Sequence, residues 1–169
     1  MNFIVAVDEQ WGIGRDGSLL QPIPNDLKRF RALTMKKVVV LGRKTLATFP
    51  DEKPLQGRTN IILTRQKDYS IEGAIVCHSF EELYKVLRLY NDEDIFIIGG
   101  GEVYNALIPY CKTGYITKIH KKYPADTYII NLDQNPDWEI IATEGPYCYM
   151  KDVYYTFVEY RNNKVIPLP

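Results

Sequence analysis

Asp26 is the residue most able to do chemistry, because it is an acid inside an apolar helical pattern. The pattern predicts a helix over residues 23–34, in which the recurring positions are Ile23, Leu27, Phe30 and Thr34. At about 100° per residue, Asp26 falls within the apolar arc of this helix. A carboxylate buried there costs several kcal/mol unless a partner binds or neutralises it, so Asp26 is a candidate catalytic or ligand-binding group. One alternative stays open, in which Asn25 caps the helix and Asp26 only stabilises its positive N-terminus.

Glycines and basic residues follow three short apolar runs of the kind found in buried parallel strands. The runs cover residues 38–41, 60–63 and 95–98, and they are followed by Gly42, Arg43, Lys44 and Thr45, by Thr64 and Arg65, and by Gly99, Gly100 and Gly101. The carboxyl ends of parallel strands share one edge, where open α/β folds bind ligands. Each motif alone is explained by a tight turn or a solvated cation. Together they predict a phosphate-binding edge, because free backbone N–H groups and helix N-termini bind anions.

The predicted edge has enough cations for a ligand with several phosphates. A dinucleotide meets this requirement, and the excess of cations favours one with an added ribose phosphate. The sequence has no GxGxxG motif, so the site differs from the Rossmann fingerprint. Neither a metal site nor a disulfide framework is indicated, since there are only two histidines and three cysteines without a CxxC pair. We expect Cys77, Cys111 and Cys148 to be buried free thiols.

Length and composition predict one globular domain over residues 1–169. Hydrophobic residues make up 46% of the chain and charged residues 25%, which allows a sizeable core. The 21 basic residues balance 21 acidic ones, so no net field attracts nucleic acid or an anionic membrane. The chain begins with a strand-like segment and shows no signal peptide or long apolar span, so we expect a cytoplasmic protein. We also expect a monomer without a nucleic-acid partner.

Strands and helices alternate along the part of the chain that carries these motifs. The apolar runs, to which residues 74–77 also belong, predict strands covered on both faces. Ser79 and Glu82 form a capping box that starts a helix. After about Tyr115 apolar and polar residues alternate, which predicts antiparallel strands at a sheet edge. Residues 165–169 are rich in proline and are expected to lie along the surface.

Five ordered blocks of the chain resemble the dihydrofolate reductase family. They lie at residues 4–14, 23–34, 40–45, 54–65 and 97–104, and Thr117, Asp126 and Thr127 follow in the expected order. The resemblance covers nearly the whole chain. It implies an α/β fold with a central eight-stranded, mostly parallel sheet, an antiparallel C-terminal strand and helices on both faces. It also implies the NADPH-dependent reduction of 7,8-dihydrofolate to tetrahydrofolate in one-carbon metabolism, and the binding of antifolate inhibitors.

The resemblance implies a role for each residue on the substrate side. Asp26 is similar to the acid that pairs with the 2-amino group and a ring N–H of the pteridine. Its charge would favour protonation of the ring during hydride delivery, with a water carrying the proton. Thr117 would hydrogen-bond to Asp26 and the amino group, and Arg58 would bind the α-carboxylate of the glutamate tail. The other implied substrate contacts are Ile4, Val5, Leu27, Phe30, Phe49 and Leu55.

The family likewise implies a set of NADPH contacts. The phosphates would be held by Arg43, Lys44, Thr45, Thr64 and Arg65, with His78 nearby. The nicotinamide would contact the backbone of Ala6 and Ile13 and the side chains of Ile98 and Tyr104. The remaining implied contacts are Gly14, Ser18, Leu19, Gly42, Leu63, Gly99, Gly100, Gly101, Glu102 and Val103. Gly99-Gly100 resembles the family's cis peptide, and the segment from Trp11 to Leu20 resembles a mobile loop that closes over the nicotinamide.

One position departs from the family, since Gln21 stands where many members have a tryptophan shortly before the acid. The glutamine amide either donates to the water that the indole N–H holds or leaves that water loosely bound, and both remain open. Two other functions remain open as well. A reductase of riboflavin biosynthesis shares the strand and glycine elements but gives no role to Asp26 together with Arg58. A noncatalytic NADPH-binding module would need the phosphate edge alone.

Overall fold

The computed structural model describes residues 1–169 and contains eleven strands and four α-helices. The strands are β1 (Asn2–Val7), β2 (Gly12–Arg15), β3 (Ser18–Leu19), β4 (Val38–Gly42), β5 (Thr59–Leu63), β6 (Ala74–Cys77), β7 (Ile95–Gly99), β8 (Thr113–Ile119), β9 (Thr127–Tyr128), β10 (Trp138–Met150) and β11 (Val153–Asn162). The α-helices are α1 (Pro24–Thr34), α2 (Arg43–Leu46), α3 (Phe80–Leu87) and α4 (Gly101–Leu107). Short 3₁₀-helices cover Pro50–Glu52, Asp92–Asp94, Ile108–Tyr110 and Leu132–Gln134. None of these helices combines the length and apolar character needed to cross a membrane.

Eight of the strands form one sheet in the order β10-β11-β8-β1-β7-β4-β5-β6. The six strands from β8 to β6 in this order are parallel neighbours. β11 runs antiparallel to β8, and β10 runs antiparallel to β11. The predicted eight-stranded, mostly parallel sheet is therefore confirmed, and its antiparallel part contains two strands.

The predicted edge position of residues 115–119 is wrong. They belong to β8, which lies between β1 and β11 inside the sheet. Their alternation arises because the two faces of β8 differ. Ile116 belongs to the buried core, whereas Tyr115 and Thr117 lie on the other face, where they contact side chains of α1.

Helices cover the sheet on both faces, as expected. α3 and α4 pack on the larger buried cluster at one face, and α1 and α2 pack on a smaller cluster at the other. Residues 38–41 and 95–98 are consequently buried throughout. The prediction that residues 74–77 are covered on both faces is wrong, because β6 is the last strand of the sheet and its Ile75 is 37% exposed.

The two predicted helix starts have different outcomes. Ser79 caps α3 as expected, because its Oγ accepts a hydrogen bond from the Glu82 backbone N–H at 3.1 Å. Asn25 does not cap α1, which begins at Pro24 and has no side-chain cap. Instead Asn25 Nδ2 donates to the Tyr155 hydroxyl at 3.0 Å. The side chain thus connects α1 to β11.

The segment from Trp11 to Leu20 forms a hairpin rather than an irregular loop. β2 pairs with both β3 and β9 in a second, three-stranded sheet. Ile13 is buried, whereas residues 15–19 are exposed. The backbone N–H of Asp16 donates to Asp126 Oδ2 at 2.8 Å, which connects the turn to the loop before β9. The hairpin therefore has a buried base and an exposed tip.

Two of the three cysteines are buried free thiols, as predicted, namely Cys77 and Cys111. The prediction is wrong for Cys148, which is exposed. It lies on β10, an edge strand whose residues are exposed from its second position onward. Residues 165–169 form no strand, and their one backbone contact runs from the N–H of Ile166 to the carbonyl of Pro109 at 3.1 Å.

Candidate active site

Asp26 lies in the first turn of α1 and faces β8. Its Oδ1 accepts a hydrogen bond from Thr117 Oγ1 at 2.5 Å, although the two residues are 91 positions apart. Thr117 is 2% exposed, and Asp26 is partly buried. Asp26 Oδ2 has no hydrogen-bond partner in the protein and is not fully buried. A stabilising effect on the helix N-terminus alone does not account for this arrangement, in which one oxygen is anchored and the other is available to a ligand.

The ionisation of Asp26 is set by opposing effects. Burial raises the pKa of its carboxyl above the ordinary value. The hydrogen bond from Thr117 and the positive charge of Arg29, which lies one turn later in α1, lower that pKa. A group of this kind is sensitive to any further donor or cation that approaches its free oxygen.

A cleft opens beside Asp26 between the end of β1, the hairpin and the start of α1. Its lining residues are Ala6, Val7, Asp8, Ile13, Leu19, Leu20, Gln21, Asp26 and Ile119. Two predicted nicotinamide contacts, Ala6 and Ile13, therefore share a cleft with the predicted substrate acid. Leu19 is 56% exposed at its rim. The second acid of the cleft, Asp8, is buried and accepts hydrogen bonds from three backbone N–H groups, so it holds the turn after β1.

Gln21 also lines this cleft. Its Nε2 donates to the carbonyl of Pro22 at 3.1 Å in an exposed contact. Its Oε1 has no partner in the protein, so the amide presents one free acceptor near Asp26. How Gln21 affects a bound water stays a prediction.

Apolar residues form a wall on the α1 side of the sheet. Phe30, Phe49 and Leu55 are partly buried and pack against a cluster that includes Ile4 and Ile98. Leu27 is 48% exposed, so it is not part of the core at all. An exposed leucine next to Asp26 suits a pocket wall that a flat ring covers. Val5, in contrast, packs against the cluster on the other face of the sheet, so only its backbone can face a ligand here.

Arg58 is anchored near the C-terminal end of α1. Its Nη1 donates to Thr34 Oγ1 at 3.2 Å, and its Nε donates to the carbonyl of Gln56 at 3.0 Å. It forms no ion pair with any carboxylate. Burial, followed by the neighbouring charge of Arg31, lowers the pKa of Arg58. Two neighbouring cations without an acid between them favour an anionic ligand.

The carboxyl ends of β7, β4, β5 and β6 lie side by side at one edge of the sheet. The paired residues are Leu41 with Gly99, Gly42 with Leu63, and Leu63 with Cys77. The predicted alignment of three strand ends is confirmed, and it extends to β6, which is followed by His78. Neighbouring strands are about 4.8 Å apart, so four strand ends span about 14 Å. This length suits an extended ligand with several phosphates.

Glycines let the start of α2 and the start of α4 lie close together. The peptide bond between Gly99 and Gly100 is cis, as the resemblance implied. A Cβ atom on Gly100 would lie 3.1 Å from Thr45 Oγ1, and one on Gly42 would lie 3.6 Å from Val103 Cγ2. A side chain at Gly100 would therefore crowd Thr45, whereas one at Gly42 would make an ordinary contact. Because α2 has four residues and α4 has seven, individual N–H groups rather than a long helix dipole would bind an anion there.

Polar residues complete this edge of the sheet. Thr64 is buried, Arg43 is partly buried, and the exposed ones are Lys44, Arg65 and Glu102. Ser18, in contrast, is exposed on β3 of the three-stranded sheet. Arg65 Nη2 forms an ion pair with Glu102 Oε1 at 2.6 Å. His78 Nδ1 is buried and has no hydrogen-bond partner in the protein. Since a buried nitrogen seldom lacks a partner, this atom fits a site that a polyphosphate cofactor completes.

Tyr104 connects the glycine triplet to the acid. It is 5% exposed, and its hydroxyl donates to the carbonyl of Ile4 at 2.7 Å. A Cβ atom on Gly99 would lie 3.4 Å from the Tyr104 ring. Burial, and then the charge of Asp26, raises the pKa of Tyr104. The cofactor edge and the candidate substrate acid are therefore neighbours.

Arg29 is a residue near the site that the sequence patterns did not predict. Helical spacing places Arg29 and Asp26 on one side of α1, and this signal was available from the sequence. The contact of Arg29 with Phe157 joins α1 to β11, and no local pattern predicts it. Leu20 and Ile119, which line the cleft, were also not assigned.

Comparison with known proteins gives one consistent family. The family model described as dihydrofolate reductase matches residues 1–162. The dihydrofolate reductase of Staphylococcus haemolyticus is 32% identical over 163 residues, which cover 91% of this chain and 94% of that protein. The dihydrofolate reductase of Bacillus subtilis (strain 168) is 32% identical, and the alignment covers 85% of this chain and 83% of that protein. A solved structure of dihydrofolate reductase from Enterococcus faecalis, complexed with NADP(H) and RAB-propyl, matches with a TM-score of 0.83 and 36% identity over 96% of this chain and 95% of that chain.

Proposed function

This chain belongs to the dihydrofolate reductase family and catalyses the NADPH-dependent reduction of 7,8-dihydrofolate to tetrahydrofolate, and we propose that Asp26 is the group that binds and polarises the pteridine. The observation that carries this proposal is the asymmetry of the carboxylate. Thr117 fixes Oδ1, while Oδ2 has no partner in the protein, and Asp26 lines a cleft together with Ala6 and Ile13. Because the chain belongs to this family, neither alternative function, a reductase of riboflavin biosynthesis or a noncatalytic NADPH-binding module, has support.

Asp26 acts in this proposal as an orienting and electrostatic group. A carboxylate accepts two parallel hydrogen bonds from an amino group and an adjacent ring N–H, and such charge-assisted pairs offset the cost of its burial. Its negative charge stabilises the positive charge that develops when the ring nitrogen is protonated. Thr117 holds the carboxylate in the plane of the substrate. Leu27, Phe30, Phe49 and Leu55 are proposed to cover the rings, and the backbone of Ile4 and Val5 lines the floor.

Arg58 is proposed to bind the glutamate α-carboxylate of the substrate. Three observations support this role. Arg58 lies near the C-terminal end of α1, it is anchored by Thr34 and Gln56, and it forms no ion pair within the protein. A planar guanidinium binds a carboxylate through two parallel hydrogen bonds. The neighbouring Arg31 adds positive charge, which suits a tail with two carboxylates.

The carboxyl edge of the sheet is proposed to hold NADPH, which supplies the hydride when it is bound. The phosphates would be held by Arg43, Lys44, Thr45, Thr64 and Arg65, with His78 nearby, and the nicotinamide would contact Ala6, Ile13, Ile98 and Tyr104. The further proposed cofactor contacts are Gly14, Ser18, Leu19, Gly42, Leu63, Gly99, Gly100, Gly101, Glu102 and Val103. The buried, unpartnered Nδ1 of His78 and the alignment of four strand ends at this edge support this assignment. The exposed tip of the hairpin would exclude water from the cleft by closing over it.

We also propose that residues 1–169 form one domain that works as a cytoplasmic monomer and binds antifolate inhibitors at Asp26, without a nucleic-acid partner. One sheet joins residues from Asn2 to Asn162, the formal charge is zero, and two thiols are buried and free. Light scattering during size-exclusion chromatography should give a mass near 19.6 kDa. A mass twice as large would contradict the monomer.

The experiment that tests the role of Asp26 follows NADPH oxidation with 7,8-dihydrofolate by absorbance. Asp26→Asn should lower turnover at neutral pH by about 100-fold or more, because the amide carries no charge. NADPH affinity, measured by fluorescence titration, should stay nearly unchanged. The control is Asp68→Asn, which removes an exposed loop acid of equal charge. Unchanged turnover in Asp26→Asn would remove the role proposed here.

A further inference from the structure

Arg29 is held in a defined position beneath α1. Its Cζ lies 4.4 Å from the centre of the Phe157 ring and 5.8 Å from that of the Tyr115 ring. The Phe157 side chain is 5% exposed, and Arg29 is partly buried. A guanidinium over an aromatic face is attracted to it, more strongly where water is excluded. The charge of Arg29 therefore has a fixed location, unlike that of a free surface arginine.

The rings that hold Arg29 belong to the same surface as the partner of Asp26. Tyr115 and Thr117 are two residues apart on β8, so they face the same side of the sheet. On the neighbouring β11, Phe157 is paired with Thr117 and Glu159 with Tyr115. Asp26 and Arg29 lie three residues apart on α1 and rest on this one patch of the sheet. The positions of Asp26 and Arg29 are thus fixed by α1, and those of their contact residues by β8 and β11.

Arg29 does not form an ion pair with Asp26 or with any other carboxylate. It acts on Asp26 through space, so it leaves Oδ2 free for the substrate. The charge of Arg29 lowers the pKa of Asp26, against the effect of burial. It also lowers the pKa of Tyr115, which burial and the charge of Glu159 raise.

The charged and titratable groups around the pair come from several elements. Asp26 is faced by Thr117 from β8, by Tyr104 from α4 and, across the cleft, by Asp8 from the end of β1. Arg29 is faced by Tyr115 from β8 and by Phe157 from β11, and Glu159 of β11 is paired with Tyr115. Among these groups Arg29 carries the only permanent positive charge. Glu159 opposes the effect of Arg29 at Tyr115, whose pKa it raises.

We propose that Arg29 is a positioning residue for dihydrofolate reduction, whose cation, clamped on Phe157 and Tyr115, preserves the negative charge of Asp26 in the cleft at acidic pH. This inference rests on the function proposed for Asp26. Substrate binding requires ionised Asp26, so kcat/KM falls on the acid side as the carboxyl takes up a proton. Loss of the Arg29 cation makes protonation of Asp26 easier. The decline of kcat/KM at acidic pH, called the acid limb below, then moves to higher pH.

The test compares Arg29→Met with Lys28→Met over a pH series of kcat/KM for dihydrofolate. Both changes remove one positive charge from α1, but Lys28 is exposed and contacts no aromatic ring. Arg29→Met should lose about threefold in kcat/KM near pH 5 and less than about 1.5-fold near pH 8. Lys28→Met should keep the parent profile. Thermal unfolding at both pH values shows whether each variant is folded.

One further variant separates charge from packing. Arg29→Lys keeps the charge and should restore most of the parent acid limb, which a merely structural role would not explain. An acid limb that is unchanged in folded Arg29→Met, or that moves equally in Lys28→Met, overturns the inference. If Asp26→Asn keeps full turnover, the proposed role of Asp26 fails instead, so the two failures are distinguishable.

Discussion

Replacing Asp26 by asparagine is expected to stabilise the ligand-free protein at neutral pH, although it removes activity. The parent carboxylate is partly buried, has one hydrogen bond from Thr117 and has no ion-pair partner. Asparagine keeps an acceptor for Thr117 but carries no charge. The variant therefore avoids the cost of placing an ionised group in the cleft without substrate.

The sign of this effect depends on pH. Burial raises the folded-state pKa of Asp26 above the ordinary 3.8, despite the opposing effects of Thr117 and Arg29. Below 3.8 the acid is protonated in the folded and the unfolded chain, so it costs nothing. As the pH rises from there through the folded pKa, the unfolded chain ionises first and the parent loses stability. The advantage of Asp26→Asn should thus be absent below pH 3.8 and should grow as the pH rises through the folded-state pKa toward pH 7.

The gain in the free energy of unfolding of Asp26→Asn follows from the desolvation of one partly exposed carboxylate in the parent. About 1 kcal/mol is expected, at the low end for a poorly compensated polar group, because Oδ2 keeps contact with solvent. For a domain of this size that corresponds to a rise of about 2–4 °C in Tm. The parent would then be less stable than the variant because it keeps a charged group that its activity requires.

The assay is thermal unfolding by circular dichroism, without ligands, over a series from about pH 4 to pH 7. Asp68→Asn again serves as the control, and it should match the parent at every pH. The reasoning is refuted if Asp26→Asn is less stable than the parent at pH 7. It is equally refuted if the variant gains the same stability at every pH, since a packing effect would then explain it.

Other predictions concern the two ends of the ligand site. Arg65→Ser should reduce the preference for NADPH over NADH, measured as the ratio of their kcat/KM values, by about tenfold, because it removes a charge-assisted contact with the added ribose phosphate at an exposed site. The control Lys67→Ser should leave this ratio unchanged. Equal use of both cofactors by the parent would refute the added-phosphate argument. Arg58→Gln should raise KM for dihydrofolate by about tenfold and leave KM for dihydropteroate, which lacks the glutamate, nearly unchanged. An equal rise for both substrates would mean that Arg58 acts on the fold.

The sequence determined most strands of the eight-stranded sheet and the main helices, but not the strands of the three-stranded sheet. Unbroken apolar runs predicted β4 and β7 within a residue or two of their ends, and the capping box predicted the start of α3. These patterns are local, since a strand or a helix turn is specified by residues that are neighbours in the chain. The acid in the apolar pattern of α1 was also visible in the sequence, because it violates that pattern. Its alignment with a known family then suggested what it binds.

Strand order and solvent exposure were predicted less well. The alternation after Tyr115 indicated an edge strand, yet β8 lies inside the sheet with one face toward α1. Cys148 was expected to be buried and is exposed, because β10 is the last strand at the other edge. Period-two patterns report that two faces of a strand differ but not what covers each face. The neighbours of a strand are chosen by the packing of the whole sheet.

By itself, then, the sequence determined which residues are chemically unusual, namely Asp26, the glycine triplet and the basic residues after the strands. Only the tertiary structure decided which of them meet. It brings Thr117 to Asp26 from 91 positions away, aligns four strand ends at one edge, and places the Arg29 cation over Phe157 of β11. The physical reason is that a carboxylate's ionisation depends on burial and on nearby charges, and both are properties of the packed chain rather than of any local segment.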